Sequence, residues 1–415
     1  MPGTPAPVLA EAARPEALGG ALGALTGEVV EVARFSGREQ PLAVAGEDGV
    51  QLTLLRGAVE TGASKRAVAR LRLAGPVGQV GRICTELAEA LGKSIPHGGL
   101  AAEALGVTPA APLAALGPPP IPARASVREF VAATLPGVIW LVLLETAAVT
   151  AAPSVEGIHR ARVAVRRLRS VLGVLRRPLD CPSASGAAEA LRPALRDLAA
   201  CLGAARDWDV FLEGVGARLS ERLGDHQDAA RLIAAARRQR SAAYAALGAS
   251  LARPGQRALE RRLPLFAALR PWEEPGSPGA PVLAQAAAGF AAEVLDKRLH
   301  RLRRAGRRFE HLSIEALHAL RKDGKRLRYA AEAFAPLFPR AKARRFLKRL
   351  RALQAVLGDL QDAEVARGLL AQLGSAGRGY AGGLAMGFAE GRRAALQADS
   401  HKAWRRFTKA EPFWT

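Results

Sequence analysis

His159-Arg-Ala-Arg162-Val-Ala-Val-Arg166-Arg167-Leu168-Arg169 and His318-Ala-Leu-Arg321-Lys322-Asp-Gly-Lys325-Arg326-Leu327-Arg328 are two copies of one stretch, 159 positions apart. Both follow the pattern His-x-x-Arg-x-x-x-(Lys/Arg)-Arg-Leu-Arg. An α-helix turns about 100° per residue. With His159 at the origin, Arg162 lies at about −60°, Arg166 at about −20°, Arg169 at about −80° and Arg167 at about +80°. Leu168 falls opposite, together with Ala161, Val165, Leu172 and Leu175. The second copy repeats the division: His318, Arg321, Lys322, Lys325, Arg326 and Arg328 against Leu320, Leu327 and Phe334. Each cassette therefore reads as an amphipathic helix with a cationic stripe.

The plainest alternative is a solvated surface helix. Solvated faces, however, usually mix signs to gain i,i+4 pairs. The first stripe has no acid and the second has only Asp323. Like charges set this way cost a few tenths of a kcal/mol per pair, roughly, so a compensating anion is expected. The planar fork of Arg donates two parallel hydrogen bonds to a phosphate, and Lys adds a compact charge. Histidine beside a bound anion is drawn to its protonated form and can donate as well. Duplex DNA would call for Asn, Gln, Ser or Thr at base edges, and single-stranded RNA for stacking aromatics. The cassettes contain no Asn or Gln, and aromatics make up 5% of the chain. A polyanion of phosphates without bases fits better, with nucleic acid as the weaker alternative.

The repeat extends beyond the cassettes. Leu195-Arg-Asp-Leu-Ala-Ala-Cys-Leu-Gly-Ala-Ala-Arg-Asp207-Trp-Asp209-Val210 aligns with Leu350-Arg-Ala-Leu-Gln-Ala-Val-Leu-Gly-Asp-Leu-Gln-Asp362-Ala-Glu364-Val365, and half of the aligned positions are identical. A duplicated helical unit follows, expected as two pseudo-symmetric bundles. Asp207, Asp209, Asp362 and Glu364 recur in this motif. A paired-carboxylate metal site is one reading of them, but amid so much arginine they read better as structural ion pairs or caps that hold the cassette arginines. The run Lys297-Arg298…Arg301…Arg303-Arg304…Arg307-Arg308 precedes the second cassette. It either extends the basic wall through Arg301, Arg304 and Arg308 or is solvated surface.

The net charge of +22 is unevenly placed: residues 1–117 sum to −1 and residues 118–415 to +23. Three cysteines without metal-type spacing indicate a reducing compartment, and the first residues lack the pattern of a signal peptide. Phe130 to Leu144 is an apolar stretch containing Pro136-Gly137; it reads as a buried helix rather than a membrane span. Residues 1–27 read as disordered. Residues 28–106 form a small α+β unit, with strands at Glu28–Phe35, Leu42–Ala45, Val50–Leu55 and Ala67–Leu73, a hairpin at Gly46-Glu-Asp-Gly49 and a helix from Val77 to Leu91. Residues 107–122 are a Pro-rich linker. From 123 to 415 the pattern is helical, in two halves at about 123–268 and 282–411, divided at Arg270–Pro281.

These motifs resemble the CHAD family, the conserved histidine α-helical domain. The resemblance is carried by the first cassette, by Leu202-Gly203…Arg206-Asp207…Asp209-Val210, by His318…Lys325-Arg326-Leu-Arg328-Tyr329-Ala-Ala-Glu332, and by Trp404-Arg-Arg-Phe407…Pro412-Phe-Trp414. It covers about residues 123–415. It implies a mainly α fold of duplicated bundles that binds inorganic polyphosphate along a basic surface, in the cytoplasm and in some members on polyphosphate granules. Lys322-Asp-Gly replaces the family's apolar residues after Arg321, and Gln361 stands where the first repeat has Arg206. Residues 28–92 are similar to the end of a CYTH domain, a tunnel fold that hydrolyses triphosphate. Its Glu-x-Glu-x-Lys signature is missing, and Leu55, Arg70 and Arg72 stand where acids are usual. Metal-dependent hydrolysis needs carboxylates, so this unit reads as degenerate. The expectation is thus a non-enzymatic polyphosphate binder with no catalytic residue, metal or cofactor. Its alternatives are a CYTH-type triphosphate hydrolase and a general nucleic-acid binder; the sequence is silent on oligomeric state.

Overall fold

A computed structural model describes residues 34–43, 49–62, 64–75, 77–90, 121–122, 124–180, 182–273 and 276–415. The expected disordered start, the turn at Gly46–Asp48 and nearly all of the linker lie outside these residues. The chain divides into two compact units, 1–84 with 95–111, and 85–94 with 112–415.

In the first unit, β1 (Arg34–Leu42), β2 (Gln51–Thr61) and β3 (Ser64–Ala74) form an antiparallel sheet in the order β1-β2-β3. Helix α1 (Val77–Ala90) follows in sequence, and the division between the units falls within it, after Cys84. The register runs from Leu42 opposite Leu52 to Arg34 opposite Glu60. The described residues therefore hold three strands where the sequence suggested four. Ser36-Gly-Arg-Glu-Gln-Pro41 has the composition of a break, yet all of it pairs with β2. Pro41 is tolerated because β1 is an edge strand, where a missing N–H need not break the ladder. Gly37 lies opposite Gly57, so the two backbones meet without side chains between them. Thr61 Oγ1 accepts from the Ser64 amide at 3.2 Å and closes the second hairpin. In the strands Val59 alone is buried.

The second unit is a bundle of α-helices. Helix α2 (Val127–Ala151) is apolar along most of its length. It starts with a capping box: the Ser126 hydroxyl accepts from the Glu129 amide at 3.2 Å, and the Glu129 carboxylate accepts from the Ser126 amide at 2.7 Å. By length and composition α2 could cross a membrane. In the fold it is a core helix, with Phe130, Val131, Leu135 and Ile139 almost fully buried.

Helix α3 (Val155–Val174) carries the first cassette, capped by Ser154, whose hydroxyl accepts from the Gly157 amide at 3.0 Å. Helix α4 (Pro182–Phe211) runs into one π-helical turn (Leu212–Gly216), followed by α5 (Ala217–Leu223), α6 (Gln227–Leu251) and α7 (Pro254–Leu269). Arg270 then takes a left-handed conformation, with φ of 45°, and ends the first helical stretch. After α8 (Ala280–Leu283) come α9 (Ala287–Ala305), α10 (Ile314–Phe334) with the second cassette, α11 (Arg340–Gln372), α12 (Ser375–Arg378) and α13 (Tyr380–Thr408).

The apolar backs of the two cassettes lie in one core. Ala161, Val165, Leu168, Leu172 and Leu175 of the first are buried with Leu320, Leu327 and Phe334 of the second. Phe334 anchors this region: its ring meets Phe130 at 5.1 Å and Phe290 at 6.0 Å between centroids. A short bridge joins the starts of α2 and α9. The Val127 amide donates to the Gln285 carbonyl and the Ala287 amide to the Ala125 carbonyl, both at 2.8 Å. The C-terminal segment closes the core, with Phe413 and Trp414 against Phe346 and the Trp414 indole donating to Asp296 at 2.8 Å.

These contacts rank two substitutions. Phe334→Ala removes the ring shared by Phe130 and Phe290 and is expected to cost about 3–5 kcal/mol. Ser126→Ala removes one capping hydroxyl and is expected to cost about 1 kcal/mol. Urea denaturation of both variants checks the order; a Phe334→Ala loss no larger than that of Ser126→Ala would refute the packing assigned to Phe334.

Candidate anion-binding site

The two stripes converge on one cavity of about 550 Å³. Helix α3 lines it with His159, Arg162 and Arg166, and α10 with His318, Arg321 and Lys325. These are equivalent positions of the two cassettes, each confined to an arc of about 60°. Further walls come from α4 with its π turn, α5, α11 and α13. They add Arg206, Arg218 and Arg392, which the sequence reading left out of the site. The two carboxylates of the lining are Asp207 and Asp359. Seven Arg and Lys against two Asp leave an excess of five positive charges.

The remaining cassette cations do not line this cavity. Arg167 and Lys322 are exposed, pointing away from the shared arc. Arg169 lies about 10 Å along the axis from Arg162, where burial and Arg196 lower its pKa. Arg326 pairs with Asp323 at 2.9 Å, and the same carboxylate takes Arg301 at 3.1 Å. The one acid of the second stripe thus builds an ordinary mixed-sign face with α9. Arg304 and Arg308 are exposed and also lie outside the lining. Arg328 donates to the Tyr329 hydroxyl at 3.0 Å and sits 3.9 Å from Glu332.

Tyr329 links the cassettes. Its ring carries the Arg328 guanidinium at 4.7 Å and the Arg166 guanidinium at 5.2 Å from the centroid. The buried Nε of Arg166 has no hydrogen-bond partner among the described residues. Burial, with Arg162 and Arg328 nearby, lowers the pKa of Arg166 against the opposing pull of Tyr329. Lys325 responds more strongly. Burial first, then Arg321, Arg166, Arg162 and Arg328, bring its pKa down to about 7.

The acids of the repeated motif separate in role. Asp207 pairs with Arg162 at 3.2 Å and so holds a cassette arginine. Asp209 does not: its buried carboxylate accepts from Arg240 at 2.6 Å and from Tyr244 at 2.9 Å, tying α4 to α6, with Arg206 4.0 Å away. Glu364 pairs with Arg367 at 3.0 Å, again outside the cassettes. The Asp362 side chain lies outside the described residues. Among those residues, no three His, Cys, Asp or Glu side chains gather as a metal site.

The other face of the cavity is apolar, with Val163 from α3, Val210, Phe211 and Val215 from α4 and the π turn, Leu369 from α11 and Phe388 from α13. Single π turns are uncommon and cluster at functional sites. The sequence signal for this wall was weak. Val210 and Val365 hold the same place in the repeated motif and both line the cavity, but nothing local marks Phe388.

A family model described as CHAD domain matches residues 141–371. The crystal structure of the CHAD domain from the plant Ricinus communis is similar, with 27% identity over 71% of this chain and 96% of that one, at a TM-score of 0.59. PptA from Streptomyces chartreusis is similar in fold, with 19% identity over 69% of this chain and 99% of that one, at a TM-score of 0.50. No curated protein matches.

The depressed pKa of Lys325 has a direct consequence for stability. Between pH about 7 and the ordinary lysine value of 10.5, the unfolded chain binds a proton that the folded chain has released. Stability from this group therefore rises with pH across that window, and its full penalty is present below pH 7. Lys325→Met is expected to stabilise the fold by about 1–2 kcal/mol at pH 6.5 and by little at pH 10. Urea denaturation at the two pH values checks this, and a gain that grows with pH would contradict it.

Proposed function

The chain belongs to the CHAD domain family, and we propose that it binds inorganic polyphosphate without hydrolysing it. The observation that carries this reading is the convergence of equivalent cations from both cassettes on one cavity. Arg162, Arg166 and Arg321 supply bidentate donors, and Lys325 a charge that an incoming anion restores. His159 and His318 sit beside them, each with a ring N–H that can donate. The polar lining is entirely Arg, Lys, His and Asp among the described residues. Base edges are read by amide and hydroxyl side chains as well, which favours phosphate without bases over nucleic acid. Arg301, Arg304 and Arg308 provide an exposed basic surface over which a longer chain can continue. The proposed setting is the cytoplasm, at polyphosphate granules.

The same reading includes a duplication of the helical domain. Three observations support it. Helices α3 and α10 start at Val155 and Ile314, and α2 and α9 at Val127 and Ala287, offsets of 159 and 160. The bridge between Ser126 and Ala286 joins corresponding positions. Phe130 and Phe290, also 160 apart, flank the same Phe334 ring. For the N-terminal sheet we propose a CYTH remnant. Arg70 and Arg72 alternate with Leu71 and Leu73 along β3, and Arg72 is bound to Glu39 at 2.9 Å. A strand that presents arginines where a cation must be held suits neither magnesium nor manganese.

The test is a titration of the whole chain with long-chain polyphosphate, RNA and DNA at matched phosphate concentration. Polyphosphate is expected to bind most tightly, to weaken steeply with salt, and to lose at least about tenfold in the Arg166→Ala/Lys325→Ala double variant, each lost charge-assisted bond being worth about 1.5–3 kcal/mol. Undiminished binding by that variant would overturn the site, and preference for RNA or DNA would overturn the ligand.

A further inference from the structure

Inorganic polyphosphate would engage only the cationic wall of the cavity. Of its apolar wall, Phe211, Ala366 and Leu369 are buried in a second hydrophobic cluster, Val215, Val365 and Phe388 are half-buried against it, and Val210 is one of two large hydrophobic side chains that are exposed among the described residues. Its register is regular. Val210, Phe211, Gly214 and Val215 follow one face through the π turn; Val365, Ala366 and Leu369 do so on α11, as do Phe388 and Ala389 on α13. Three separate helical segments thus aim apolar groups at a space whose facing wall is cationic. The described lining has no Ser, Thr, Asn, Gln, Tyr or Trp. Against the apolar wall, a ligand body with hydrogen-bonding edges would lose its water without gaining partners, and that loss is unfavourable. A hydrocarbon body meets no such penalty, and a cavity of this size is ample for one.

We propose that the cavity takes an organic diphosphate with a hydrocarbon body, of the prenyl diphosphate class. The diphosphate lies on Arg162, Arg166, Arg321 and Lys325, and the hydrocarbon on Val210, Val215, Leu369 and Phe388. This rests on the cationic wall being a phosphate site and adds what the apolar wall contributes to the same site.

The experiment compares geranyl diphosphate, inorganic diphosphate and ADP in calorimetric titrations of the full chain, alongside Val210→Asn and Val215→Asn. Each buried methylene contributes about fourfold in affinity. Geranyl diphosphate is therefore expected to bind at least about tenfold tighter than inorganic diphosphate. The ratio of the two affinities is expected to fall in both variants. Val210 is already exposed, so its replacement leaves the fold intact and the ratio interpretable. Equal affinities for the two diphosphates, or a ratio unchanged in both variants, would overturn the proposal. ADP binding as tightly as geranyl diphosphate would overturn the hydrocarbon body. Polyphosphate binding without any geranyl preference sinks this inference alone, whereas failure of every phosphate ligand sinks the cationic site and this inference with it.

Discussion

The packing of α3 against α10 places two cationic stripes on one cavity, and the rest of the helical unit can be understood as what that contact requires. Like charges at close range repel by about 1 kcal/mol even across water, and by more where protein replaces solvent. The helices hold together because their other faces do not carry charge. Leu168, Val165 and Ala161 on one, and Leu320, Leu327 and Phe334 on the other, are almost fully enclosed. Apolar burial of roughly 2 kcal/mol per large side chain outweighs the repulsion. Enclosure also bears on the cations: burial first, with neighbouring cations adding to it, lowers the pKa of both Arg166 and Lys325.

Contacts outside the cavity decide which cations remain committed to it. Asp323 engages Arg301 and Arg326, and Glu332 engages Arg351 at 2.9 Å with Arg328 nearby. These pairs are partly solvated and contribute little stability. Their effect is geometric: Asp323 and Glu332 hold Arg301, Arg326 and Arg351 outside the cavity lining. Tyr329 acts in the opposite sense, because its ring is a neutral platform on which Arg166 rests beside Arg328 without needing a carboxylate. Arg166 is thereby positioned while its charge remains uncancelled by an acid.

How much of this could be read from the sequence depends on the range of the interaction. The helical period locates His159, Arg162 and Arg166 on one arc because all three are set by a single helix. It overstates the stripe, since Arg167 and Arg326 share the polar side but diverge from the cavity, and an angular reading has no depth along the axis. The acids illustrate a second limit. Asp207 and Asp209 are two residues apart, yet one turns to Arg162 and the other to Arg240 and Tyr244. Only the neighbouring helices, more than 30 positions away in sequence, make that choice. The apolar wall is the clearest case, assembled from α4, α11 and α13, and each of its residues looks like ordinary core in its own segment. In the sheet, pairing with β2 overrode the break-like composition of β1 for the same reason.

The difference between the two cassettes is as informative as their likeness. Arg166 and Lys325 occupy the same place in the pattern and face the same cavity. A guanidinium remains charged even when burial lowers its pKa, because it starts far above neutrality. An ammonium does not, and Lys325 is brought to about 7, within reach of ordinary cellular pH. Two arginines here would keep the full repulsion between the facing walls, whereas a lysine on one side can be pushed toward its neutral form. An anion placed between Arg166 and Arg321 would set a negative charge beside Lys325 and favour its protonated form. The pair therefore sets a cation that stays charged opposite one that burial and neighbouring charge push toward its neutral form.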